Sequence, residues 1–199
     1  MLKPRFYLAS RSPRRRELLT QAGFAYAELP EGAADVNETP KPGEAALDYV
    51  VRVARDKAAS AWRALIAGGL AALPVLTADT TVVVDDAIVG KPDDAADARN
   101  MLRRLSGQPH QVLTAVALAS DAGVATCFSA STVEFRDIAA AEIECYVSTG
   151  EPLDKAGAYA IQGRAAIFVR SISGSYSGIM GLPLFETAEL LGSLGITPD

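Results

Sequence analysis

One histidine, His110, and two cysteines, Cys127 and Cys145, stand in 199 residues. A single imidazole excludes a zinc site built on several histidines. The absence of a Gly-x-Ser-x-Gly elbow removes the usual setting for a nucleophilic serine. The cysteines lack metal-ligand spacing, and without a secretion signal they read as idle or buried thiols. No apolar run is long enough to span a bilayer; the longest, AALPVLTADTTVVV, is broken by Pro74 and Asp79. The opening MLKPRFYLAS lacks the apolar stretch of a signal peptide, so the expectation is a cytoplasmic protein with no membrane partner. A net charge of −5 gives no broad electrostatic attraction for nucleic acid. An anionic ligand would need a local basic pocket.

The material for a core is plentiful, with 49% of residues hydrophobic. The chain reads as a single domain over 1–199, without repeats or low-complexity segments. Phe6-Tyr7-Leu8-Ala9 reads as a buried strand, followed by a helix with Ser12 as N-cap and Pro13 in its first position. Residues 27–44, rich in proline, glycine and acid, predict a long loop. Apolar residues at helical spacing from Leu47 to Leu65 predict a helix over 45–67. Lys57 lies roughly 80° off the centre of that stripe, where its ammonium can turn towards a cleft. VLTADTTVVV predicts a strand interrupted at Ala78-Asp79-Thr80, then a hairpin turn at Asp85-Asp86 and a short strand at 87–89. A helix over 93–107, two long strands joined through Asp121-Ala122-Gly123, and a helix over 139–149 follow. A Gly-rich segment at 157–163, a strand over 166–173 and a last helix over 184–194 complete the chain. Alternating strands and helices with a long hairpin predict an α/β fold on a mixed, strongly twisted sheet.

Charge placement carries the chemistry. LASRSPRRRELL sets three arginines on the first turn of a helix, where the backbone dipole is already positive. Something negative, a carboxylate or a ligand, must face them. Asp79 sits inside a β-branched run, so it is either a paired, hydrogen-bonded or metal-bound carboxylate or an edge residue facing water. Glu38 reads as a functional acid or a solvated loop charge, and Asp154 as a site residue or the cap of a turn. Arg14, Arg15, Lys57, Lys91 and Lys155 form the basic set. GKPDD is not a P-loop, because its first glycine and its Ser/Thr are missing. Cations beside a few carboxylates and glycine-lined backbone suit a polyphosphate held with a divalent metal.

The stretches LASRSPRRRELL, DVNETP, ARDKA, ADTTVVVD, GKP, LSGQPHQVLTAVAL, YVSTGEPLDKAGAYAIQG and GSYSGIMGLPLFET resemble the Maf family of nucleotide pyrophosphatases from end to end. The resemblance implies an elongated, twisted mixed sheet flanked by helices, with two lobes around a cleft, as in the inosine triphosphate pyrophosphatases. It implies hydrolysis of a nucleoside triphosphate to the monophosphate and pyrophosphate with a divalent cation, Mg²⁺ or Mn²⁺, in a homodimer. Arg14 after Ser12-Pro13, Thr80 after Asp79, and Gln162 are similar to the specificity set of the dTTP/UTP group. Asp79, Glu38, Lys57 and Lys91 take the catalytic places, with Glu38 and Asp79 also as metal ligands. Ser10, Ser12, Arg14, Arg15, Thr80, Asp154, Lys155 and Gln162 take the substrate-binding ones.

Gly157 and Ala158 are expected to let the backbone approach the nucleotide, and Thr80 with the backbone near Gly163 to pin Gln162 against the base. Arg11 and Asn37 depart from the family's pattern, and Asn37 retains a carbonyl oxygen to offer a metal. A competing expectation is a non-enzymatic regulator of septation that acts by binding a partner.

Overall fold

The computed structural model describes residues 3–198. Strands β1 (Phe6–Leu8), β2 (Tyr26–Glu28), β3 (Val75–Val84), β4 (Ala87–Val89), β5 (Pro109–Ser120), β6 (Gly123–Phe135) and β7 (Val169–Ser173) form one mixed sheet. Its order is β2-β1-β3-β5-β6-β7, with β4 paired to β3. β1 runs parallel to β2 and β3; every other pairing is antiparallel. The helices are α1 (Pro13–Gln21), α2 (Ala46–Ala67), α3 (Ala95–Leu105), α4 (Ala140–Val147), α5 (Tyr176–Met180) and α6 (Leu184–Gly192).

β3 is continuous through Asp79, where the sequence predicts an interruption. Its backbone pairs with β5 from Val75 to Val83, so the polar side chains do not break the ladder. The other edge of β3 is divided. β1 pairs with it only at Val75 and Leu76, and β4 only from Val82 to Val84. The Thr77–Thr81 stretch therefore has one unpaired edge in the middle of a buried strand. Asp85 and Asp86 turn the β3–β4 hairpin with φ of 49° and 57°, the twist that two-residue hairpins favour.

The helix α2 covers one face of the sheet. Its Tyr49, Val50, Val53, Ala54 and Ala58 pack on Val83, Leu113, Ala115, Ala117 and Ala119. Alanine on both sides lets helix and sheet approach closely, and the Thr77 hydroxyl donates to the Ala54 carbonyl at 2.8 Å. The opposite face carries two separate cores. One joins Phe6, Leu8, Leu18, Leu19, Leu76, Val116, Leu182 and Leu191, and so holds α1 and α6. The other joins Val82, Leu102, Leu105, Val112, Val133, Phe135, Ile143 and Phe168, and so holds α3 and α4. Between them runs a row of hydroxyl side chains in register, Thr80, Thr114 and Ser129. These two cores are the lobes of the expected fold.

Three local expectations are corrected. The loop begins after β2 rather than at residue 27. Residues Arg164–Phe168 form a 3-10 turn, leaving the strand only Val169–Ser173. Gly157 and Ala158 do not line the cleft; they are buried beneath it, with φ of 70° and 59°. A Cβ at Gly157 would lie 2.9 Å from Val82 Cγ2. Gly157→Ala should thus combine left-handed strain with overpacking and lower unfolding free energy by about 2–4 kcal/mol, measured by denaturant titration.

His110 is buried against Phe135 and Tyr159, with Nε2 at 2.9 Å from the Tyr159 hydroxyl. Burial pushes its pKa down to about 4. The unfolded chain takes up this proton first, so stability is intact above the ordinary histidine value of about 6.5 and falls as pH drops towards about 4. His110→Gln should flatten that fall by about 3 kcal/mol, read from unfolding free energies at both ends of the window.

Candidate active site

A cleft of about 820 Å³ opens where β3 is unpaired and runs between the two lobes. The residues nominated as catalytic or substrate-binding line it: Ser10, Ser12, Arg14, Arg15, Glu38, Lys57, Asp79, Thr80, Lys91, Asp154, Lys155 and Gln162. Asp79 and Thr80 are neighbours in β3 and alternate across the sheet. The open edge gives both side chains access to one space.

Asp79 is 7% exposed, which settles its reading as a buried, paired carboxylate. Its Oδ1 lies 2.8 Å from Lys57 Nζ, and Glu38 Oε1 lies 2.8 Å from the same nitrogen. Lys57 reaches this point from α2, at the margin of the face that packs on the sheet. Burial alone would raise the pKa of Glu38. The hydrogen bond and charge of Lys57, with Lys91 and Arg15 beyond, hold it below the ordinary carboxylate value.

The loop carrying Glu38 is fastened to α2. Tyr49 donates its hydroxyl to the Glu38 carbonyl at 2.9 Å. Arg52 grips the Glu44 carboxylate at 2.6 and 2.8 Å and the Thr39 carbonyl at 3.2 Å. Asn37 does not line the cleft, and its Oδ1 accepts from the Thr39 amide at 2.8 Å, an Asx turn that presents Glu38.

The three arginines of α1 have different fates. Arg16 pairs with Glu28 at 2.9 Å. Arg15 donates through Nε to the Gly181 carbonyl at 2.7 Å and, at 3.4 Å, to the hydroxyls of Ser10 and Thr80. Burial pulls the pKa of Arg15 down, and the charge of Asp79 opposes this. Arg14 makes no hydrogen bond or ion pair with a described residue. Ser12 occupies the N-cap position, but its hydroxyl caps nothing. Instead its amide donates to Ser10 Oγ at 3.2 Å. The start of α1 thus presents amides without a side-chain cap beside two arginines, a setting for an anion.

On the far wall Lys155 pairs with the Asp154 carboxylate and donates to the Glu151 carbonyl at 3.1 Å. Asp154 therefore does not cap the turn at Gly157. Burial would raise its pKa, but Lys155 and the charge of Arg14 hold it below the ordinary value. Lys91 is exposed and has no ion pair among the described residues. Gln162 is exposed at the rim, and neither Thr80 nor the Gly163 backbone pins it. Thr80 is engaged with Thr114 at 2.9 Å, and Thr114 donates to the Gly178 carbonyl at 2.8 Å. Thr114, Tyr49 and the Gly181 carbonyl are the supports that sequence reasoning missed.

The donor set fits a hard divalent cation. Glu38 and Asp79 share one ammonium, so the trio keeps a net negative charge. Glu38 Oε2 and Asp79 Oδ2 hydrogen-bond to no described residue. No third His, Cys, Asp or Glu joins them among the described residues. Phosphate oxygens and water would complete such a site, as is usual for Mg²⁺.

Residues 5–194 match the family described as Maf-like protein. The chain is 53% identical over 196 residues to a dTTP/UTP pyrophosphatase of Nitrosomonas europaea, across 96% of this chain and 95% of that protein. It is 57% identical over 193 residues to a dTTP/UTP pyrophosphatase of Cupriavidus metallidurans, across 96% of each. A solved nucleoside-triphosphatase / dITP/XTP pyrophosphatase from Mycobacterium abscessus superposes with a TM-score of 0.37 and 17% identity over 65% of this chain and 73% of that one, too slight a likeness to bear on fold or function. With the family match running through both walls of the cleft and relatives more than half identical along nearly their whole length, the chain belongs to the Maf-like protein family.

Proposed function

We propose that the protein hydrolyses dTTP and UTP to the nucleoside monophosphate and pyrophosphate. The observation that carries this reading is Lys57 held between Asp79 and Glu38 at the back of a cleft whose opposite wall is the basic start of α1. The names of the relatives support the choice of substrate.

The triphosphate lies with its charge on the amides of α1 and on Arg14, which is free to hold phosphate oxygens bidentately. Arg15, fixed by the Gly181 carbonyl, adds a positive charge that does not move with the ligand. Lys91 and Lys155 close on the phosphates from the other lobe, with Asp154 orienting Lys155. Asp79 orients a water against the α-phosphorus and takes its proton. The bond between the α-phosphorus and the oxygen that bridges to the β-phosphate breaks, and pyrophosphate leaves with that oxygen and the bonding electrons. Lys57 steadies Asp79 and Glu38 as their charge changes. Glu38 and Asp79 would hold a divalent cation, Mg²⁺ or Mn²⁺, which would supply Lewis acidity at the phosphates.

Thr80 and Gln162 face the base, a reading supported by the resemblance to the dTTP/UTP group; Arg14, the third member of that set, stays on the phosphates. The same resemblance supports a cytoplasmic homodimer. No helix among the described residues is long and apolar enough to cross a membrane. A regulator of septation that merely docks a partner has no use for a buried carboxylate sharing an ammonium with a second acid, and that alternative is not favoured.

The test is a nucleotide panel with Mg²⁺ or Mn²⁺ and specific detection of pyrophosphate. Label in the γ-phosphate of UTP should appear in pyrophosphate; orthophosphate with a diphosphate product would show cleavage at the wrong bond. Asp79→Asn preserves shape and removes the proton acceptor. Turnover should drop by about 10²-fold or more, in the range of a general base, while circular dichroism is unchanged. Turnover close to that of the unmodified protein would remove Asp79 from this role.

A further inference from the structure

Within the hydroxyl row that separates the two cores, the Thr80–Thr114 pair holds its protons in one orientation only. Thr114 Oγ1 lies 2.8 Å from the Gly178 carbonyl oxygen and 2.9 Å from Thr80 Oγ1. A carbonyl only accepts, so the single hydroxyl proton of Thr114 is committed to Gly178. The contact between the threonines then requires the proton of Thr80, donated to Thr114. Thr80 has no other proton to give. Arg15 Nη2, which approaches Thr80 Oγ1 at 3.4 Å, is itself a donor and agrees with this direction. What Thr80 turns towards the cleft is lone-pair density.

We infer that Thr114 is a positioning residue that makes Thr80 a hydrogen-bond acceptor towards the base and so selects a base edge that carries a ring N–H. Thr114 is 1% exposed and lies outside the cleft lining, so it acts through Thr80 rather than by touching the ligand. The inference rests on the reading above that Thr80 faces the base of a pyrimidine nucleotide. Uracil and thymine present N3–H as a donor, which Thr80 accepts. Cytosine presents N3 as an acceptor, and two facing acceptors leave both unpaired. Removing the Thr114 hydroxyl frees the Thr80 proton to point at the ligand, and the restriction is lost.

The experiment measures kcat/KM for UTP, CTP and N3-methyl-UTP, with pyrophosphate detection, in the unmodified protein, Thr114→Val and Thr114→Ser. The unmodified protein should favour UTP over both analogues by about 10-fold or more. Thr114→Val should cut the UTP/CTP ratio by about 5- to 30-fold, the range of one unpaired hydrogen-bonding group. Thr114→Ser, which restores the relay, should return it. A purely structural role for Thr114 would lower UTP and CTP in equal proportion, and an unmoved ratio in folded Thr114→Val overturns the inference. Should that variant not fold, Thr114→Ala is read in its place by the same ratio, and hydrolysis of N3-methyl-UTP by the unmodified protein as efficient as that of UTP overturns the inference. Absence of pyrophosphate release from both dTTP and UTP in the unmodified protein sinks the proposed function and the inference with it. Release with an unmoved ratio sinks the inference alone.

Discussion

The open edge of β3 is the constraint on which the rest depends. Strand β1 releases β3 after Leu76, and β4 takes it up again at Val82. Between them a buried strand is exposed from the side, with its other edge still secured to β5. This solves a conflict between burial and access. A carboxylate in the middle of a sheet is normally sealed off, and one on a loop is normally solvated. Asp79 has the rigid backbone of the first and the approachability of the second. Its neighbours follow from the same opening: α2 delivers Lys57 from behind, and the loop after β2 brings Glu38 across the front.

The charges around this opening are kept apart by the choice of partners. Lys57 is spent on two acids. Arg15, by contrast, is held by a carbonyl and two hydroxyls, none of which cancels its charge. Arg16 is neutralised by Glu28. The run of three arginines is therefore one structural ion pair and two cations left for an anion. Neutral anchoring is what allows a cation to be both rigid and unneutralised.

That the site residues share one cleft was legible partly because charged residues in apolar or glycine-rich surroundings stand out, as Asp79 and Asp154 do, and partly through the family resemblance, which alone nominated Ser10, Ser12, Thr80 and Gln162. Their support was not. The Gly181 carbonyl carries no side-chain signal, and Thr114 lies in a strand pattern indistinguishable from packing. Asn37 advertised an oxygen that the local backbone consumes. Among the elements, the long strands and α2 were legible from sustained periodicity. β2 was not, because three half-exposed residues are too few to show a period. The apolar run before β7 misled for a definite reason: Ala165 and Phe168 are buried while Ile167 is 69% exposed, a spacing of three and not of two. α5 was hidden in a segment of serine and glycine, where side-chain hydroxyls fasten the start of the turn and only Ile179 and Met180 supply apolar contacts.

The division of the front face into two cores has a consequence for how the molecule comes into being. One core is drawn from a single continuous span, Val82 to Ile179. The other joins the two ends of the chain, with Phe6, Leu8, Leu18 and Leu19 meeting Leu182, Leu191 and Ile196. During synthesis the first can consolidate while the C-terminus is still unmade, whereas the second must wait for it. The arginine-bearing wall of the cleft belongs to the second. The carboxylate-bearing strand thus has its partners early, and the anion-binding wall is completed only when α6 docks.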